Sequence, residues 1–192
     1  MQFIGVFLSS HDNVPTSYRQ ATEEVGRWIG QSGRTLIYGG SGIGMMEVLA
    51  QSAKQAGARI FGIVPQFVVD RNVVSDTLDV EIRTAGLADR KTILIERSDL
   101  MIALPGGVGT LEELLEVITW KQLGLFLKPI VVLNTEGYFD PLLSQLERCI
   151  DQQFMRRVHS DIWKVAATPE EAVKLCEETP LWDASIRRFA AL

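Results

Sequence analysis

The residues with the clearest chemical pattern lie in two glycine-rich turns. Tyr38-Gly39-Gly40-Ser41-Gly42-Ile43-Gly44 and Leu104-Pro105-Gly106-Gly107-Val108-Gly109-Thr110 each follow an apolar run and open a segment of helical period. Glycine lets a backbone come close to an anion, and the free N–H groups and dipole of a helix start add positive potential. Two such turns point to a phosphate site, weighed against the plain reading that tight strand-to-helix turns use glycine anyway. The dinucleotide fingerprint fails: from Gly40 and Gly42 the third glycine falls at Met45, and from Gly42 and Gly44 it falls at Glu47. No Gly-Lys-Ser/Thr follows either turn, so neither is a nucleotide P-loop.

Ionic residues stand beside the second turn. Thr110 and Glu113 fit a capping box, in which threonine caps a helix and glutamate reaches back to the cap. Leu111, Leu114, Leu115 and Ile118 would form that helix's apolar face, which leaves Glu113 off the core on the first turn, within reach of a bound sugar. Upstream, Asp89-Arg90-Lys91 opens another helix where the dipole prefers acids, and the plain reading is a solvated turn. His11 and His159 read as surface or capping residues. No cluster has metal-ligand spacing and no GxSxG elbow occurs. Cys149 and Cys176 lack CxxC spacing and read as reduced packing thiols in helices.

The elements that must position these residues alternate. Short apolar runs at 3–8, 35–38, 59–64, 80–83, 100–104, 129–133 and 162–166 read as strands. Helical period is found at 17–31, 44–56, 87–96, 111–123, 141–153 and 169–178. The alternation predicts an α/β, Rossmann-like doubly wound parallel sheet of about seven strands with helices on both faces. Both glycine turns then fall at carboxyl ends of strands, where open sheets of this kind bind ligands. Residues 66–79 are the least regular, and such connections often border a site. With no repeat, low-complexity tract or linker, residues 1–192 read as one domain. The tail from 185 is expected to fray or dock as a short helix, with Arg187-Arg188 solvated.

Composition bounds the function. Of 192 residues, 46% are apolar and 22% charged, which excludes disorder and coiled coil. A net charge of −5 argues against a nucleic-acid polymer or an anionic membrane as partner. No apolar stretch approaches the ~20 residues of a bilayer span, and the N-terminus lacks a basic signal-peptide start. A cytoplasmic location is expected.

Pro105-Gly106-Gly107-Val108-Gly109-Thr110-Leu111-Glu112-Glu113 is a PGGxGTxxE motif whose Glu113 stands 23 positions after Arg90, with Lys91 beside the arginine. Together with Tyr38-Gly39-Gly40, Ile118-Thr119-Trp120 and Gly137-Tyr138-Phe139-Asp140, it resembles the Lonely Guy family of cytokinin riboside 5′-monophosphate phosphoribohydrolases, long labelled lysine decarboxylases. The resemblance runs from Val6 to about Glu178. It implies a metal-independent, cofactor-free hydrolase that cleaves the N-glycosidic bond of a nucleoside 5′-monophosphate, either an N6-modified AMP or AMP itself. The products would be free base and ribose 5-phosphate. By position, Arg90 and Glu113 would be the catalytic pair, and Lys91, Gly40, Gly106, Gly107, Val108, Gly109, Thr110, Glu112 and Thr119 would line the substrate site. A homodimer is implied as well, with Trp120, Leu123 and 125–127 supplying apolar contact.

Some positions depart from the family pattern. Leu87-Ala88 replaces Met-His, Leu8 stands in the first-strand turn where the family has Gly-Ser-Ser, and Glu47 replaces a glycine after the first glycine turn. Asn72 occupies the place of a substrate-contacting glutamate. These changes alter the rim of the site and leave Arg90 and Glu113 in place. Two other readings compete with this one. One is a non-catalytic nucleotide or cofactor carrier, as in related molybdenum-cofactor carriers. The other, lysine decarboxylase, would require a pyridoxal phosphate-binding lysine that nothing in the sequence marks.

Overall fold

Uninterrupted apolar runs become strands buried on both faces. The computed structural model describes residues 1–183 and residue 185, so Arg187-Arg188 lies outside the described residues. The strands are β1 (Phe3–Phe7), β2 (Thr35–Tyr38), β3 (Arg59–Pro65), β4 (Val80–Thr84), β5 (Leu100–Ala103), β6 (Ile130–Leu133) and β7 (Lys164–Ala166). The helices are α1 (Thr16–Gln31), α2 (Gly44–Gln55), α3 (Gln66–Asp70), α4 (Leu87–Arg97), α5 (Val108–Gln122), α6 (Asp140–Asp151) and α7 (Pro169–Glu178). The strands form one parallel sheet in the order β4-β3-β2-β1-β5-β6-β7. The Rossmann-like doubly wound architecture expected from the alternation is therefore the one observed.

Side chains of each central strand alternate between two cores. Ile4, Val6, Leu36, Ile60, Ile102 and Val131 face α1, α2 and α7, meeting Val25, Ile29, Leu49, Ala53 and Cys176. Phe7, Ile37, Ile63, Met101 and Val132 face α4, α5 and α6, meeting Leu94, Leu114, Ile118 and Ile150. Only a sheet covered on both faces needs this continuous apolarity. The edge strand β4 alternates instead, with Glu81 and Arg83 exposed. Inside the irregular 66–79 stretch lies α3, too short for a periodicity to register.

Strand order reverses at β1. The chain winds outward through β2, β3 and β4, then crosses back through α4 to β5 on the other side of β1. The loops leaving β1 and β5 therefore diverge and open a crevice at their carboxyl ends. Among the described residues no helix is long and apolar enough to cross a membrane.

Beneath the far end of α5, Lys121 is 1% exposed. Its Nζ donates to the Lys128 carbonyl at 2.8 Å and lies 5.4 Å from the Trp182 ring centre. The Trp182 backbone N–H in turn donates to the Leu127 carbonyl at 2.7 Å, which ties this residue to the α5–β6 connection. Burial, with Lys164 nearby, pulls the ammonium down to about 8. A folded-state value below the unfolded one means that the unfolded chain binds the extra proton between the two values. Stability linked to Lys121 therefore rises with pH through that window and is lost as pH falls through about 8. The stability difference between wild type and Lys121→Met should move in favour of wild type by roughly 2–3 kcal/mol from pH 7 to pH 10. Denaturant melts of both proteins across that range measure it, and a pH-independent gap would contradict the assignment.

Candidate active site

The crevice at the strand reversal is a cavity of about 290 Å3. Its walls come from the β1 loop (Leu8, Ser9, Ser10, His11), the first turns of α4 (Leu87, Arg90, Lys91) and α5 (Gly107 to Thr110, Glu112, Glu113), and Met46 of α2. A larger groove between α1 and α2, about 560 Å3, gathers Arg19, Glu23 and Arg27 but lies away from the strand ends.

Arg90 and Glu113 meet on the cavity's inner side as an ion pair, Nη2 to Oε1. Glu113 is only 4% exposed, contrary to the expectation that it stands clear of the core. The buried residues of α5 are Thr110, Glu113, Leu114, Val117, Ile118 and Lys121. The inward stripe is rotated from the expected one, and Leu115 faces out. The capping box is absent too. Gly107 is the N-cap, no side chain caps the helix, and α5 begins three residues before the expected position. Thr110 is thus inside the first turn, packed over Gly106, where a Cβ would fall 2.1 Å from its Oγ1. Glu113 has no backbone duty to share with Arg90.

The guanidinium packs close to Gly39, where a Cβ would lie 3.2 Å from Arg90 Nη1 and crowd it. Burial pulls Arg90 below its usual range, while Glu112 works in the opposite direction. Arg90 Nε is buried without a hydrogen-bond partner among the described residues. Lys91 pairs with Glu112 and, at 2.8 Å, with Glu116. Burial opposes its charge, but the two carboxylates override it and hold the ammonium above its usual range. Both cations anticipated from sequence are thus already matched by carboxylates.

The two glycine turns do different work. In the second, a Cβ on Gly107 or Gly109 would meet nothing within 4 Å, and neither residue has positive φ. Neither packing nor backbone conformation demands glycine there. Those residues border the cavity, with the unsatisfied N–H groups of a helix's first turn. The first turn is closed by protein. The Gly42 N–H donates to the Val73 carbonyl at 2.8 Å, and the Ser75 N–H to the Gly40 carbonyl at 2.9 Å. Gly40 (φ +72°) is pressed on Val64, and Gly44 (φ +59°) on the Ser10 carbonyl.

Of the residues anticipated for the site, Arg90, Lys91, Gly107, Val108, Gly109, Thr110, Glu112 and Glu113 line the cavity. Gly40 lies behind it against β3. Gly106 underlies the loop, its carbonyl accepting from the Tyr138 hydroxyl at 2.6 Å. Thr119 sits on the exposed side of α5, its hydroxyl donating to the Leu115 carbonyl at 2.8 Å. Leu8 and Leu87 belong to the wall, but Glu47 does not. The Glu47 carboxylate accepts from the Ser75 hydroxyl at 2.5 Å and from Gln51 at 2.9 Å. The Tyr38 hydroxyl lies beside Ser75 and Thr77, and burial pushes it up to about 12. Asn72, at φ +53°, ends α3 outside the cavity lining.

Sequence reasoning missed Ser9, Ser10, His11, Met46 and Gly39. For the first three, the available signal was their position immediately after β1, the strand at the reversal. His159 is buried, its Nδ1 accepting from the Arg156 N–H at 3.1 Å, and burial lowers its proton affinity.

A sequence-family profile described as "Possible lysine decarboxylase" matches residues 46–176. The cytokinin riboside 5′-monophosphate phosphoribohydrolase LOG3 of Arabidopsis thaliana is 38% identical over 175 residues, covering 91% of this chain and 81% of that protein. A probable cytokinin riboside 5′-monophosphate phosphoribohydrolase, LOGL2 of Oryza sativa subsp. japonica, is 36% identical over 173 residues, covering 90% of this chain and 71% of its own. The solved molybdenum cofactor binding protein of Rippkaea orientalis matches with a TM-score of 0.70 at 28% identity, covering 92% of this chain and 95% of that one.

The packing at Gly44 makes a direct test of the site's scaffold. A Cβ there would sit 2.1 Å from the Ser10 carbonyl oxygen, on a residue with positive φ. Gly44→Ala is therefore expected to destabilise the fold by about 2 kcal/mol or more, measured by chemical denaturation. A change of a few tenths would show that the β1 loop is not held by this contact.

Proposed function

We propose, for a chain that belongs to the cytokinin riboside 5′-monophosphate phosphoribohydrolase family, hydrolysis of the N-glycosidic bond of a nucleoside 5′-monophosphate to free base and ribose 5-phosphate. The observation that carries this reading is the buried Arg90–Glu113 pair beside the bare first turn of α5. Cleavage of the C1′–N bond sends the bonding electrons to the base and leaves oxocarbenium character on the ribose. A carboxylate fixed in a site shielded from water stabilises that charge and can order the attacking water. Glu113 takes this role, held in place by Arg90. The N–H groups of Gly107 to Thr110 grip the 5′-phosphate, so that binding energy remote from the scissile bond places the anomeric carbon. Leu8, Met46, Leu87 and Val108 give the cavity its apolar wall, suited to a base. Its volume of about 290 Å3 is at the low end for small-molecule sites, roughly 300–1,000 Å3. Unmodified AMP is therefore included among the substrates.

The decarboxylase description does not suit this cavity. A Schiff base requires a neutral lysine amine, whereas Lys91, the one lysine in the wall, is held charged by two carboxylates. The carrier reading draws on the likeness to the Rippkaea orientalis protein. Against it stands the buried carboxylate, which a carrier for an anionic ligand has no need to place beside its anion loop.

A second copy of the chain is the proposed partner. The face around Trp120, Leu125 and Phe126 encloses a mostly apolar hollow of about 560 Å3 with Met1, Ile95 and Leu181. Leu125 is 63% exposed there, and an apolar face of this kind is covered in a stable assembly.

Two outcomes test these readings. Incubation with AMP, GMP, CMP and isopentenyladenosine monophosphate should release free base, and Glu113→Gln should lower kcat by about 10²–10⁴. No base release from any of the four would leave the carrier reading. Light scattering at micromolar concentration should give twice the 21.4 kDa of one chain, and Leu125→Glu should shift it to the monomer. A wild-type monomer would refute the dimer.

A further inference from the structure

The charges lining the cavity nearly cancel. Arg90 is taken by Glu113, and Lys91 by Glu112 together with Glu116. A phosphate dianion entering beside α5 would meet backbone N–H groups but no side-chain cation free of a carboxylate, with one exception. His11 is the third lining residue able to carry positive charge. Its imidazole makes no hydrogen bond or ion pair with the protein among the described residues.

His11 is also held more firmly than its loop position suggests. Its N–H donates to the Ser9 hydroxyl at 3.0 Å, and its carbonyl accepts from the Met45 N–H at 3.2 Å. Gly44 presses on the backbone of Ser10 and His11 from one side. A Cβ on Gly106 would come within 3.0 Å of Ser9 N from the other. Both glycine turns therefore clamp the β1 loop, which forms the wall shared with Gly107 to Thr110.

We propose that His11 binds the 5′-phosphate of the substrate, supplying the positive charge that Arg90 and Lys91 cannot. The proposal rests on the hydrolase reading for the identity of its ligand, a ribose carrying a 5′-phosphate. Phosphate bound at the start of α5 accepts hydrogen bonds from the helix N–H groups and from the protonated imidazole. Arg90 is left to the pair with Glu113, away from phosphate duty. His11 is then the residue that makes the site select a nucleotide over a nucleoside.

The test uses ribose 5-phosphate and ribose as calorimetric ligands, with wild type, His11→Gln and His11→Lys. Ribose 5-phosphate should bind about tenfold more weakly to His11→Gln and recover most of its affinity in His11→Lys. Affinity for ribose should be the same in all three. In steady-state hydrolysis of AMP, His11→Gln should raise KM by a similar factor with kcat within about twofold. Equal ribose 5-phosphate affinity in wild type and His11→Gln, or no binding to wild type, overturns the proposal. So does a fall in kcat shared by nucleotide and nucleoside, which would place His11 at the departing base. Binding needs no bond cleavage, so the two readings fail separately. A chain that binds ribose 5-phosphate through His11 yet hydrolyses no nucleotide refutes only the hydrolase. One that hydrolyses AMP with His11→Gln unchanged refutes only this inference.

Discussion

Glu113 and Arg90 are buried against each other between the first turns of α5 and α4, and much of the surrounding structure answers to that pair. Removing two charges from water costs several kcal/mol per ion, and only close pairing offsets it. Neither helix can turn its start away without stranding an unpaired ion in the interior. The inward stripe of α5 accordingly includes a glutamate beside Leu114 and Val117, and the guanidinium packs close to Gly39. A buried ion pair adds little net stability compared with an apolar replacement. Its presence is better explained by chemistry than by folding.

The glycine turns divide the remaining work. The second offers unencumbered N–H groups to the cavity. The first is closed by the 73–75 segment and serves as a brace on the β1 loop. Glu47 fits this division. A carboxylate next to a phosphate site would be repulsive, but here it is turned outward to Ser75, on the segment that closes the first turn. The same arrangement reconciles a net charge of −5 with an anionic ligand. On the proposed function, oriented backbone dipoles and a few side chains receive the anion, without a basic surface.

The fold was legible because its signals are local and repeated. Alternating apolar runs and helical periods set strand number and direction, and parallel strands require crossover helices. Two local readings of α5 failed. Thr110 and Glu113 have capping-box spacing, yet Pro105-Gly106-Gly107 starts the helix at Val108 and moves both residues into its first turns. The expected stripe through Leu115 failed with it, because the inward direction depends on where Arg90 waits on another helix. Of the residues expected to give apolar contact to a second copy, Trp120 is half-buried and Phe126 buried within the chain itself.

What the amino-acid sequence determined alone was the doubly wound sheet, the glycine turns at its carboxyl edge, and the motif that joins Glu113 to the second of them. Spacing along one chain carries that information, because hydrophobic period and turn chemistry act within a few residues. Only the tertiary structure decided which charges cancel. Lys91 finds Glu112 and Glu116, Arg90 finds Glu113, and the His11 imidazole at the strand reversal is left unpaired among the described residues. Charge pairing is a matter of distance through space, and these groups come from three elements that sequence order keeps far apart.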